Sequence, residues 1–115
     1  KAAMQRWFLP TFATTHPERV AETHRRFLGT DWESYALACE AIAAMDLTQT
    51  ISAIEAPTLV MAAAEDAGTP LGTAEVLRST IAGATLVIVP EAAHMLVIER
   101  AVTASAWIQT FLDLP

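Results

Sequence analysis

Apolar and polar positions along the chain follow two different periods, and the change falls near residue 47. Through residues 1–46, apolar side chains recur at three- and four-residue steps: Trp7, Phe8 and Phe12, then Val20, Phe27 and Leu28, then Tyr35, Ala38, Cys39, Ile42 and Met45. That spacing puts them on one side of a helix. The breakers between them predict three helices. Pro17 suits the first turn of the second, with Thr15 or His16 before it; Gly29 ends that helix, and Thr30 or Asp31 caps the third. None of the three is apolar all round, so each has a face to lay against something larger.

From about residue 50 the pattern shifts to short β-branched or aliphatic runs that alternate with helical stretches, as in βα units around a parallel sheet. Leu59–Ala63 reads as a strand, Thr69-Pro70 opens a helix running to about Ile81, and Ala82-Gly83 breaks it. Leu86–Val89 reads as a second strand and Arg100–Leu112 as the last helix. Two strands do not make a stable open sheet. Further strands are therefore expected from outside the chain, and the bare edge of the first strand favours association. The chain divides into a helical segment, 1–46, and a strand-bearing segment, 47–115.

Composition narrows the function classes. The 115 residues fit one ordinary domain, and 53% hydrophobic content suffices for a core, yet no run approaches the roughly 20 apolar residues of a membrane helix. A net charge of −6, with seven Lys and Arg, argues against nonspecific nucleic-acid binding. A single cysteine, Cys39, and no signal-like opening point to the reducing cytoplasm.

Candidate chemistry sits at the strand ends. Glu65-Asp66 follows the first strand and His94 follows the second through Pro90-Glu91-Ala92-Ala93. An acid and then a histidine on strand ends is the order in which α/β-hydrolases place the acid and base of a Ser-His-Asp triad. Ser34, Ser52, Ser79 and Ser105 all lack the Gly-x-Ser-x-Gly turn of a nucleophile elbow. Glu65 competes with Asp66 for the acid role. His16 and His24 lie among polar helix residues and read as solvated surface; Cys39 lies on the apolar stripe with Ile42 and reads as a buried small residue.

Arg6-Trp7-Phe8-Leu9-Pro10-Thr11-Phe12, the Tyr35–Ile42 helix, Asp46-Leu47, Ala56-Pro57-Thr58-Leu59-Val60, Glu65-Asp66 with Thr69-Pro70, and Ala92-Ala93-His94 with Ile98-Glu99 together resemble the C-terminal half of the 3-oxoadipate enol-lactonases. The resemblance implies an α/β fold: the C-terminal part of an α/β-hydrolase, with a helical cap over residues 1–46 and the last two strands of a parallel sheet. It makes Asp66 the triad acid and His94 the base, with nucleophile and oxyanion hole in an N-terminal half carried elsewhere. It implies hydrolysis of an enol-lactone in aromatic catabolism without a cofactor or metal, and a chain inactive by itself. Trp7, Arg6 and Met95 become candidate substrate contacts, Arg6 as the cation for an anionic lactone. The histidine loop departs from the family pattern at Met95-Leu96-Val97 and at Ala101. Another small-molecule esterase or a cofactor-free perhydrolase of the same fold is the nearest rival reading, and a noncatalytic module that binds a ligand or partner is the more distant one.

Overall fold

The computed structural model describes residues 6–113, so the first five residues of the helical segment and the last two of the strand-bearing segment lie outside it. Helices α1 (Pro10–Thr15), α2 (Pro17–Leu28) and α3 (Trp32–Ala44) come first. A single 3-10 turn at Ile51–Ala53 leads to β1 (Leu59–Ala63), α4 (Leu71–Thr80) and β2 (Thr85–Val89). The histidine loop runs into a short helix, α5 (Leu96–Glu99), and then α6 (Ala101–Leu112).

The helix boundaries follow local chemistry. Pro17 opens α2, where its missing N–H costs nothing, Glu18 stands in the first turn, and Arg25 and Arg26 stand in the last. These charges complement the helix dipole, and Arg26 reinforces it by donating to Glu22 one turn back at 2.7 Å. Gly29 closes the helix. Asp31 caps α3, its carboxylate accepting the Ser34 N–H at 2.9 Å.

The strands pair in parallel, with Leu59 opposite Thr85 and Ala63 opposite Val89. Side chains alternate across the sheet, so Leu59, Met61, Ala63, Val87 and Val89 share one face. There they form the core cluster with Ala92, Leu96 and Ala104, the last carried by α6. Val89 is the anchor at 1% exposure. Helix α4 packs on both strands as the crossover between them. Gly83, at φ 73°, supplies the left-handed turn that lets the chain leave α4 and enter β2.

Two expectations need correction. Cys39 is exposed, as is Ile42 at 66%, because α3 touches the rest of the chain through its first turn and leaves its apolar stripe uncovered by the described residues. At that first turn, Trp32 and Tyr35 meet the Phe27 ring edge-on at 5.1 and 5.4 Å. His24 is not solvated surface: its Nε2 is buried without a hydrogen-bond partner among the described residues and its ring lies 6.2 Å from Trp7. Between His94 and the last helix, the short α5 turns the chain before Ala101. No helix among the described residues is long and apolar enough to cross a membrane.

Candidate active site

Asp66 and His94 meet at the C-terminal ends of the two parallel strands. The loop after β1 is tied to the loop after β2 by backbone bonds: the Ala64 N–H donates to the Val89 carbonyl at 2.9 Å, and the Glu65 N–H to the Ala92 carbonyl at 3.0 Å. The Glu65 carboxylate accepts the Ala92 N–H at 3.1 Å. Glu65 is thereby committed to backbone, and Asp66 is the acid that reaches the histidine, with Oδ2 3.0 Å from His94 Nδ1.

The Asp66 carboxylate is a fully used acceptor. Oδ1 takes the Gly68 N–H at 2.7 Å and the Thr69 N–H at 3.1 Å; Oδ2 takes the Thr69 hydroxyl and His94 Nδ1. Burial of this side chain, 7% exposed, works to raise its pKa. Hydrogen bonds from the Thr69 hydroxyl and His94, then from the Thr69 and Gly68 backbone, outweigh that and hold it at about 2. An ionised carboxylate only accepts, so Nδ1 carries a proton, and in the neutral ring Nε2 keeps its lone pair. His94, at 41% exposure, is accessible to a reacting group.

Gly68 and Thr69 were not singled out as site residues by sequence reasoning; Thr69 was read only as the start of a helix. The readable signal was an Asp followed at two and three residues by Gly and Thr, the pattern of a side chain folding back on its own turn. Gly68 also has a packing reason: a Cβ there would lie 3.2 Å from Asp66 Oδ1 and 3.3 Å from His94 Nδ1.

The histidine loop is held along its length. Glu91 adopts a positive φ of 53°, strained for a residue with a side chain, and Arg100 grips it there by donating to its carbonyl at 2.8 Å and its carboxylate at 2.6 Å. The Met95 N–H donates to the Trp7 carbonyl at 2.9 Å. Met95 thus contacts the helical segment through its backbone, and the groove wall beside His94 is made by Leu96 and Val97. Trp7 packs edge-on against Phe27 at 4.8 Å. Arg6 lies exposed at the start of the described chain. The structure therefore brings Asp66 and His94 together and leaves Trp7, Arg6 and Met95 outside the groove lining.

That groove, about 550 Å³, runs along β1 to Asp66, Thr69 and His94. Leu77 of α4 and Ile108 of α6 stand among its walls. Among the described residues, β1 pairs only with β2 in a two-stranded sheet. The other side of β1 therefore offers a row of unpaired backbone groups flanked by apolar side chains.

A parallel βαβ unit with an acid and a histidine joined at its strand ends is the C-terminal part of an α/β-hydrolase. The chain belongs to the TAP-like protein family of these hydrolases, whose pattern matches residues 25–115. It is 33% identical over 100 residues to 3-oxoadipate enol-lactonase 2 of Acinetobacter baylyi, an alignment covering 87% of this chain and 37% of that protein. Its structure superimposes on the enol-lactonase of Burkholderia xenovorans with a TM-score of 0.95 at 34% identity, over 98% of this chain and 43% of the other. A hydrolase of Pseudomonas aeruginosa gives 0.90 at 28% identity, over 98% and 42%. The chain thus spans about two fifths of the length of these relatives.

Proposed function

We propose that this chain carries the base and acid of a Ser-His-Asp carboxylic-ester hydrolase whose substrate is an enol-lactone of the 3-oxoadipate type. The observation that carries the reading is the 3.0 Å contact between His94 Nδ1 and an Asp66 carboxylate held ionised, with Nε2 available to work. The serine and the oxyanion donors come from the part of the hydrolase outside this chain. Core strands from that part pair along the free side of β1 and fill the groove beside it. This docking brings the serine to the Nε2 side of His94, a reading supported by the two-fifths coverage of the relatives.

In this mechanism His94 Nε2 removes the serine proton as the oxygen attacks the lactone carbonyl, and Asp66 stabilises the imidazolium that forms. The C–O bond of the ring breaks, the enolate, still tethered to the acyl chain, takes the proton from the His94 imidazolium to become a ketone, and a keto-acyl-serine and a neutral His94 remain. His94 then deprotonates water, which attacks the acyl carbon and frees the acid. An enolate is a good leaving group, so general acid–base catalysis on a serine suffices for the ring opening. The helical segment, anchored by Trp7 to the histidine loop, forms the roof over the reacting carbonyl.

The test is hydrolysis by the complete protein of an enol-lactone dicarboxylate precursor against p-nitrophenyl acetate, with His94→Ala in parallel. Ring opening faster than ester cleavage by about tenfold or more in kcat/KM, abolished in His94→Ala, is expected. Preference for the simple ester overturns the substrate, and unchanged activity in His94→Ala overturns the mechanism.

A further inference from the structure

Glu99 is a charged residue buried in the core, 8% exposed, and its carboxylate touches no Lys or Arg among the described residues. Its two oxygens are spent on backbone from two distant segments. Oε1 accepts the Leu9 N–H at 2.7 Å and Oε2 accepts the Ala93 N–H at 2.6 Å. Leu9 lies at the opening of the helical segment, and Ala93 is the residue before His94. The residue after it, Met95, donates its N–H to the Trp7 carbonyl, two positions from Leu9. His94 is therefore linked on both sides to the same short stretch, Trp7–Leu9, directly through the Met95 N–H and by way of the Glu99 carboxylate at Ala93.

Burying a carboxyl group is costly, and the two short bonds from backbone N–H groups offset that cost. An apolar residue at this position would fill the space without that cost, yet would leave the buried Ala93 N–H and the part-buried Leu9 N–H unsatisfied. The aromatic contacts extend the link: Trp7 packs on Phe27 of α2, and Phe27 on Trp32 of α3. A rigid path thus runs from the base to the helices of the cap.

We infer that Glu99 is a positioning residue that clamps the cap to the histidine loop, so that the orientation of the cap helices and the placement of His94 are set together. The clamp itself stands on geometry; its value to the reaction rests on the hydrolase reading above. Without the clamp, Ala93 and Leu9 move independently and His94 samples positions from which Nε2 misses the serine. Such misplacement lowers kcat rather than substrate affinity.

Glu99→Gln in the complete hydrolase tests this, because the amide keeps one acceptor and turns a donor onto the other N–H. Hydrogen exchange is expected to speed up by about tenfold at residues 7–9 and 93–95 together, and kcat for p-nitrophenyl acetate to fall by about tenfold with KM changed less than about twofold. Val87→Ala, a core truncation in β2 that removes none of the hydrogen bonds of the clamp, serves as the control for general loosening and should leave exchange at the two segments and kcat near wild type. Faster exchange at one segment alone, or at neither, overturns the clamp. Faster exchange at both with kcat unchanged overturns the positioning role, as does an equal fall in kcat in Val87→Ala. A wild-type protein that hydrolyses no ester overturns the hydrolase reading before any variant is made, and the exchange pattern still decides the clamp.

Discussion

Asp66→Asn keeps the shape of the acid and inverts half of its chemistry. Oδ1 can still accept from the Gly68 and Thr69 backbone, but the amide nitrogen replaces Oδ2, which now accepts from His94 Nδ1 and the Thr69 hydroxyl. Facing a donor, Nδ1 gives up its hydrogen and becomes an acceptor, so the proton moves to Nε2. The imidazole then presents an N–H where a lone pair is needed, and a loss of about 10³ to 10⁴ in kcat is expected from the wrong tautomer.

The stability change can be worked from the same geometry. Folding lowers the Asp66 pKa from 3.8 to about 2, and at ~1.4 kcal/mol for each tenfold in proton affinity this contributes about 2 kcal/mol at neutral pH. Because the folded-state value lies below the unfolded one, that stability is fully present above about pH 4 and is lost as the pH falls through about 2. Urea unfolding of wild type and Asp66→Asn should differ by about 2 kcal/mol at pH 7 and by about half of that at pH 3. A variant that keeps a tenth or more of wild-type kcat refutes the tautomer argument; a gap that does not shrink with acid refutes the charge argument.

Gly68→Ala should lower kcat about tenfold while the fold persists, since its Cβ presses on both Asp66 Oδ1 and His94 Nδ1; unchanged kinetics would show that the turn gives way freely. Glu65→Gln keeps an acceptor for the Ala92 N–H and should leave kcat within about threefold; a loss comparable to that of Asp66→Asn would make Glu65 the acid. Val89→Ala removes the most buried large side chain of the sheet and should cost about 1 to 3 kcal/mol in denaturant unfolding with little change in KM; a neutral result would mean that the site collapses around the gap.

Much of the fold was legible in the chain. The breaks at Pro17, Gly29 and Gly83 act through backbone geometry that belongs to the residue itself, so the helix ends they mark survive in the structure. The strands were legible because β-branched and aliphatic runs bounded by turn residues have few other uses. Cys39 and His24 were misplaced for the complementary reason. Whether the stripe of α3 is covered, or a histidine nitrogen is sealed from water, depends on what lies opposite, and nothing local to those residues records it. The candidate acid and base stood out through their strand-end positions, whereas Gly68 and Glu99 matter only through atoms that folding brings beside them.

By itself, then, the sequence determined the order and type of the longer helices and the strands, the two strands whose ends carry Asp66 and His94, and the likeness to one branch of hydrolases. These depend on periodicity, breakers and local motif, all properties of neighbouring residues. Only the tertiary structure decided that Asp66 rather than Glu65 meets the histidine, that Nδ1 is the protonated nitrogen, and that a buried carboxylate 90 positions from Leu9 bonds to it. Hydrogen bonds are short and directional, so the partner of a polar group is settled by a few tenths of an ångström across segments far apart in the chain.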